Sequence, residues 1–183
     1  DGNETWLIMG GIGLFAAFPK AYSILLHALY LPLLIFLVGL ILRGVAFEFR
    51  FKASRYRYIW DISFTVGSIT ASFMQGVVLG AFVKGFELVD GEKVADVFSW
   101  LNPFSIMVGV SLVVGYALLG ATWLIMKAEG ELQEACRKIA LYAMFGVLFS
   151  IGVVSLWTPI EQAEIAARWF TWPNILYLSP IPV

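Results

Sequence analysis

Charged side chains vanish from this chain four times, for 22 residues or more on each occasion. Residues 21–42, 62–83, 97–126 and 139–160 contain no Asp, Glu, Lys or Arg. A hydrocarbon core about 30 Å thick takes about 20 residues of helix to cross. Inside it no water satisfies backbone N–H and C=O groups, and a helix satisfies them within the segment. A fifth run, residues 5–19, is free of charge for 15 residues, or roughly 22 Å of helix. It is short of the core, so it is expected to begin within or upstream of the polar cluster before it, or to rely on neighbours. Pro19 and Lys20 are expected to end it.

Composition agrees with this solvent. Hydrophobic residues make up 60% and charged residues 14% of the chain, against about 25% charged in soluble domains. With 12 Lys+Arg against 13 Asp+Glu, nothing supports a nucleic-acid partner. A single cysteine, Cys136, excludes an intrachain disulfide and disfavours a cysteine metal site. The expected fold is therefore an all-α membrane protein with about five transmembrane helices. They fall near residues 3–19, 21–42, 60–83, 103–126 and 138–158, with a tail at 161–183.

Loop charges set the orientation. Residues 43–57 carry five basic side chains against Glu48, which marks that loop as cytoplasmic. Residues 84–96 are mostly acidic and suit the outside; 127–138 return inside, the tail lies outside, and Asp1 is then on the cytoplasmic side. Pro32 should kink the second span, tolerable where neighbours re-satisfy the backbone. Asn102-Pro103 should start the fourth, since Pro is favoured in a first turn. Residues 161–172 suit an interfacial amphipathic helix. Gly13-x-x-x-Ala17, Gly67-x-x-x-Ala71 and Gly76-x-x-x-Gly80 let helices approach closely in lipid, and ordinary packing is their simplest role.

Few side chains offer chemistry. His27, the only histidine, lacks a second ligand at suitable spacing and reads as packed or hydrogen-bonded rather than as a haem or metal ligand. Asp61 opens the third span four residues after Arg57, on the same helix face. It reads equally as a helix-entry carboxylate paired with Arg57, or as a proton-path or partner-contact residue. Gln75, inside the third span, reads as interhelical glue or as the lining of a water or quinone cavity, with glue favoured. Asp1-x-x-Glu4 has the pattern of a capping box. No catalytic, cofactor-binding or metal-binding residue is assigned.

A longer pattern runs through the chain. It begins with Asp1-Gly-Asn-Glu-Thr-Trp-Leu and Leu14-Phe-Ala-Ala-Phe-Pro, then Leu42-Arg-Gly-Val-Ala-Phe-Glu-Phe-Arg and Trp60-Asp61. Gln75-Gly-Val-Val-Leu-Gly, Gly115-Tyr-Ala-Leu-Leu-Gly-Ala-Thr-Trp and Gly130-Glu-Leu-Gln complete it. In order and spacing these segments resemble subunit II of the cytochrome bd quinol oxidases. The resemblance implies a multi-pass subunit of the bacterial cytoplasmic membrane, built from four-helix bundles, partnered by a subunit I that carries haems b and d and oxidises quinol. Subunit II carries no haem, and some members hold a structural quinone. The chain opens on Asp1 without Met. The resemblance implies a further helix before it and a C-terminal bundle after Val183.

The resemblance also gives Asp1 a place on a proton-entry path and Trp6 a place at an oxygen-access tunnel. A carboxylate relays protons when desolvation brings its pKa near the working pH. Two rival readings are a membrane transporter, for which inverted repeats with broken helices are expected and none is seen, and a pure assembly scaffold.

Overall fold

A computed structural model describes residues 2–53, 55–86, 88, 89, 93, 94, 96, 98–172 and 174, without the side chains of residues 2–4, 88, 89, 93 and 94. Asp1 lies outside the described residues. The chain forms α1 (Gly2–Ala17), α2 (Pro19–Arg50), α3 (Arg57–Lys84), α4 (Pro103–Lys127), α5 (Glu131–Glu161) and α6 (Ala163–Trp169). Between α3 and α4, β1 (Leu88–Val89) pairs antiparallel with β2 (Lys93–Val94). The architecture is all-α, and α2 to α5 are long and apolar enough to cross a membrane. The protein is a multi-pass membrane protein. At 16 residues α1 is roughly 24 Å long, below a full crossing.

Helix boundaries differ from expectation where proline and charge were read too simply. Pro19 does not close the first helix; it is the first residue of the second, after Phe18 at φ −137°. Proline drives its predecessor out of the α region and lacks the N–H that a first turn leaves unpaired. Pro32 sits fully buried within α2, which continues helically through it. The basic stretch 43–50 is helical, because Val45, Ala46, Phe47 and Phe49 prolong the apolar surface of α2, with Ala46 buried. The joint to α3 is thereby reduced to residues 51–56. At the same end of the molecule, α5 begins at Glu131, seven residues before the expected span.

The spanning helices pack chiefly on their neighbours in sequence, with α3 between α2 and α4 and α4 between α3 and α5. Small residues on α3 allow this. A Cβ on Gly67 would stand 2.6 Å from the Gly39 carbonyl oxygen of α2, and Ala71 packs on the same glycine. A Cβ on Gly76 would stand 2.7 Å from Gly109 Cα of α4, and one on Gly80 2.7 Å from Ser105 Cα. Nine residues separate Gly67 from Gly76, which at 3.6 per turn is half a turn out of phase. The two small pairs therefore serve opposite neighbours. Gly13 of α1 meets nothing within 4 Å, so its motif is not used between the described helices.

The α4 start follows the sequence closely. Asn102 Oδ1 accepts from the Ser105 amide at 3.0 Å, and its Nδ2 donates to the carbonyls of Ser99 (3.1 Å) and Trp100 (3.4 Å). The residue is buried, so its bonds are poorly replaced by water. Asn102→Ala should cost about 1–2 kcal/mol, read as a lower thermal midpoint of the full-length protein in detergent. Asn102→Asp keeps the acceptor and should recover part of that loss.

The far ends of α3 and α5 are tied together. Gln162 Nε2 donates to the carbonyls of Val83 (3.2 Å) and Lys84 (2.5 Å), and Lys84 Nζ lies 4.0 Å from a Glu161 carboxylate oxygen. Gly85 ends α3 with φ +82°, a conformation that favours glycine. The C-termini of α3 and α5 thus lie on one side, the alternation that the loop charges require.

Candidate functional site

An apolar cleft of about 680 Å³ opens between α1, α2, α3 and the middle of α4. Leu7, Gly11 and Leu14 of α1 form one wall, and leucines of α2 form the second. Val78, Leu79 and Phe82 of α3 continue the lining, with Leu112 of α4 behind. Alpha helix 1 leaves the space because it is loosely held. It turns back on α2 at Phe18, braced by the Phe15 and Tyr22 rings with centroids 5.2 Å apart. Glycines at 10, 11 and 13 give it little bulk to fill the gap.

Gln75 is the polar group of this wall. Its Oε1 accepts from Tyr116 Oη of α4 at 3.1 Å, so it faces the cleft and bridges two helices at once. The two roles weighed for this residue are geometrically compatible. Tyr116 was not singled out, although it stands within the Gly115-Tyr segment.

The other candidates lie elsewhere. Trp6 is 70% exposed on α1 and is not part of the cleft lining, whereas Leu7 is. His27 is exposed on α2, and no hydrogen bond or ion pair to it appears among the described residues, so it is not the packed or hydrogen-bonded side chain expected. Its neighbours Ala28 and Leu29 are buried in the core while His27 lies on the exposed side of the helix, a difference of face that hydropathy alone does not show. Among the described residues no group of three His, Cys, Asp or Glu side chains could hold a metal.

Asp61 has a different partner from the one expected. It pairs with Arg50 Nε of α2, while Arg57 Nε donates back to the Ala53 carbonyl at 3.0 Å. The cause is the α2–α3 register at this end. Phe49 stacks on Trp60 at 5.4 Å between centroids, which brings residue 50 opposite residue 61. Lys52 pairs with Glu48 at 2.5 Å and lies 5.9 Å above the Phe49 ring. Asp61 and Arg50 are both about half exposed, so solvent screens the pair and it adds little to stability. Its main effect is to fix the joint. Glu129, in the loop before α5, and Glu131, the first residue of α5, are both exposed.

These features were compared with known proteins. The sequence model of cytochrome bd terminal oxidase subunit II matches residues 1–183. Subunit 2 of the cytochrome bd ubiquinol oxidase of Bacillus subtilis (strain 168) is 36% identical over 152 residues, covering 81% of this chain and 45% of that protein. Subunit 2 of the cytochrome bd-I ubiquinol oxidase of Escherichia coli (strain K12) is 32% identical over 164 residues, covering 86% and 43%. A probable cytochrome oxidase subunit 2 of Haemophilus influenzae is 29% identical over the same length. The chain spans less than half the length of these curated relatives. With a match along its whole length, the chain belongs to the cytochrome bd terminal oxidase subunit II family.

Proposed function

We propose that this chain is the haem-free membrane subunit of a terminal quinol oxidase, which couples quinol oxidation to reduction of oxygen to water. It supports a haem-bearing subunit I, where haems b and d reside, and lines access for protons or oxygen in the bacterial inner membrane. The family match over residues 1–183 carries this reading. The exposed setting of the single histidine and the broad apolar outer faces of α1, α2 and α5 support it, since such faces need lipid or a second membrane subunit to cover them. The test is copurification: full-length protein should bring down a second chain with haem absorbance, and this chain alone should show none. Absence of a haem-bearing partner would overturn the reading.

Within this function Asp1 serves proton entry and Trp6 oxygen access. Trp6 offers a large exposed indole to whatever packs on α1, so it can shape a passage between chains rather than within this one. Trp6→Ala in the complete oxidase should change the apparent oxygen affinity while haem content stays constant. Unchanged affinity removes the tunnel assignment. Asp61 contributes at the joint, as a partner contact through its exposed half or as part of a proton route.

A structural quinone fits the cleft chemically. Its leucine walls suit an isoprenoid tail, and the bond from Tyr116 leaves the Gln75 amide N–H groups to donate to a ring carbonyl. A bound quinone there would add packing between α1 and α2. Gln75 would orient it, with Tyr116 holding Gln75 in place.

A further inference from the structure

We propose that α6 and the residues after it, as far as Trp172, lie in the membrane interface, with their apolar side chains among phospholipid headgroups and Arg168 toward lipid phosphate. The inference rests on the spanning helices and not on the oxidase reading. Height is the first observation. Gln162, immediately before α6, bonds to the last carbonyls of α3 while also ending α5. Two spanning helices therefore end at the level where α6 begins.

Exposure is the second. Ile160 is 81%, Phe170 63% and Trp172 73% exposed, and α6 rests chiefly on α5 among the described elements. A helix of seven residues is too short to hold itself in water. Something must cover these side chains, and aromatic residues interspersed with Glu164 and Arg168 match the composition of a headgroup belt.

The third observation concerns the helix end. Three of the last four carbonyls of α6 are bonded: Ala166 accepts from the Phe170 amide at 3.0 Å, Ala167 from Thr171 Oγ1, and Arg168 from Asn174 Nδ2 at 2.9 Å, the last two from side chains. Satisfying them with side chains is what a helix end needs where water is scarce.

The test uses the complete oxidase in vesicles of phosphatidylethanolamine and phosphatidylglycerol, with other reactive cysteines replaced. Nitroxide labels are placed at Ile160→Cys, Phe170→Cys and, as an aqueous control, Glu129→Cys. The expected result is collision with oxygen several-fold above collision with a water-soluble nickel chelate at positions 160 and 170, and the reverse at 129. Dominant access by the nickel chelate would overturn the proposal in favour of water. Immobilised labels reached by neither reagent would overturn it in favour of a protein cover. Should the cysteine variants assemble poorly, Trp172→Phe supplies the decision. Brominated lipid should quench less tryptophan fluorescence in that variant than in the parent, and an equal quenched fraction would sink the assignment.

Discussion

Gly76→Leu should dismantle the contact between α3 and α4. Even the first carbon of a new side chain would stand 2.7 Å from Gly109 Cα and 2.8 Å from the Val108 carbonyl oxygen. Both are backbone atoms, so no rotamer change relieves them; the helices must separate. Overpacking costs about 1–3 kcal/mol where side chains can yield, and here the upper end or beyond is expected. Separation of α3 from α4 would also pull Gly80 off Ser105. The measurement is the thermal midpoint of the full-length protein in detergent, together with the fraction recovered in complex. Gly120→Leu provides the contrast, because that position meets nothing within 4 Å and should shift stability by no more than about 0.5 kcal/mol. Equal loss in both variants would mean that close approach of α3 and α4 is not what the glycine provides.

Asp1→Asn in the full-length oxidase should lower turnover roughly 10²-fold, the scale of a positioned proton-transfer group, with haem content unchanged. The amide preserves size and much of the hydrogen bonding but cannot carry the proton. Full turnover and proton uptake in this variant would eliminate Asp1 from the path. Loss of haem with poor assembly would instead favour a scaffold.

Both experiments depend on residues whose surroundings were legible to different degrees. The spanning helices could be read because lipid excludes charge, so uncharged runs mark them directly. The start of α4 was equally plain, since an Asn-Pro pair states both the cap and the first turn. The glycines of α3 were recognised as packing residues, but not that Gly67 and Gly76 serve opposite neighbours, which needs the helix phase relative to α2 and α4. Arg57 is the pairing partner that sequence offers Asp61, because four residues on one helix is the contact that sequence displays. Its actual partner, Arg50, comes from another helix across a joint whose register is set by Phe49 and Trp60. The cleft was legible only as a cavity that Gln75 could line; its other walls were not, since it is a gap beside a glycine-rich α1, and a gap has no residues of its own.

The neighbour-on-neighbour order of α2 to α5 has a consequence for biogenesis. A chain whose spanning helices each rest on the one before can dock them as they leave the ribosome, without waiting for a distant strand or helix. Loop closure for such contacts is short, which favours rapid assembly. Gln162 is the exception: its bonds to Val83 and Lys84 bridge nearly eighty residues of chain. That latch closes only after α5 has been inserted in the right orientation. Until then, the ties from Gln162 and Glu161 to the end of α3 are unmade.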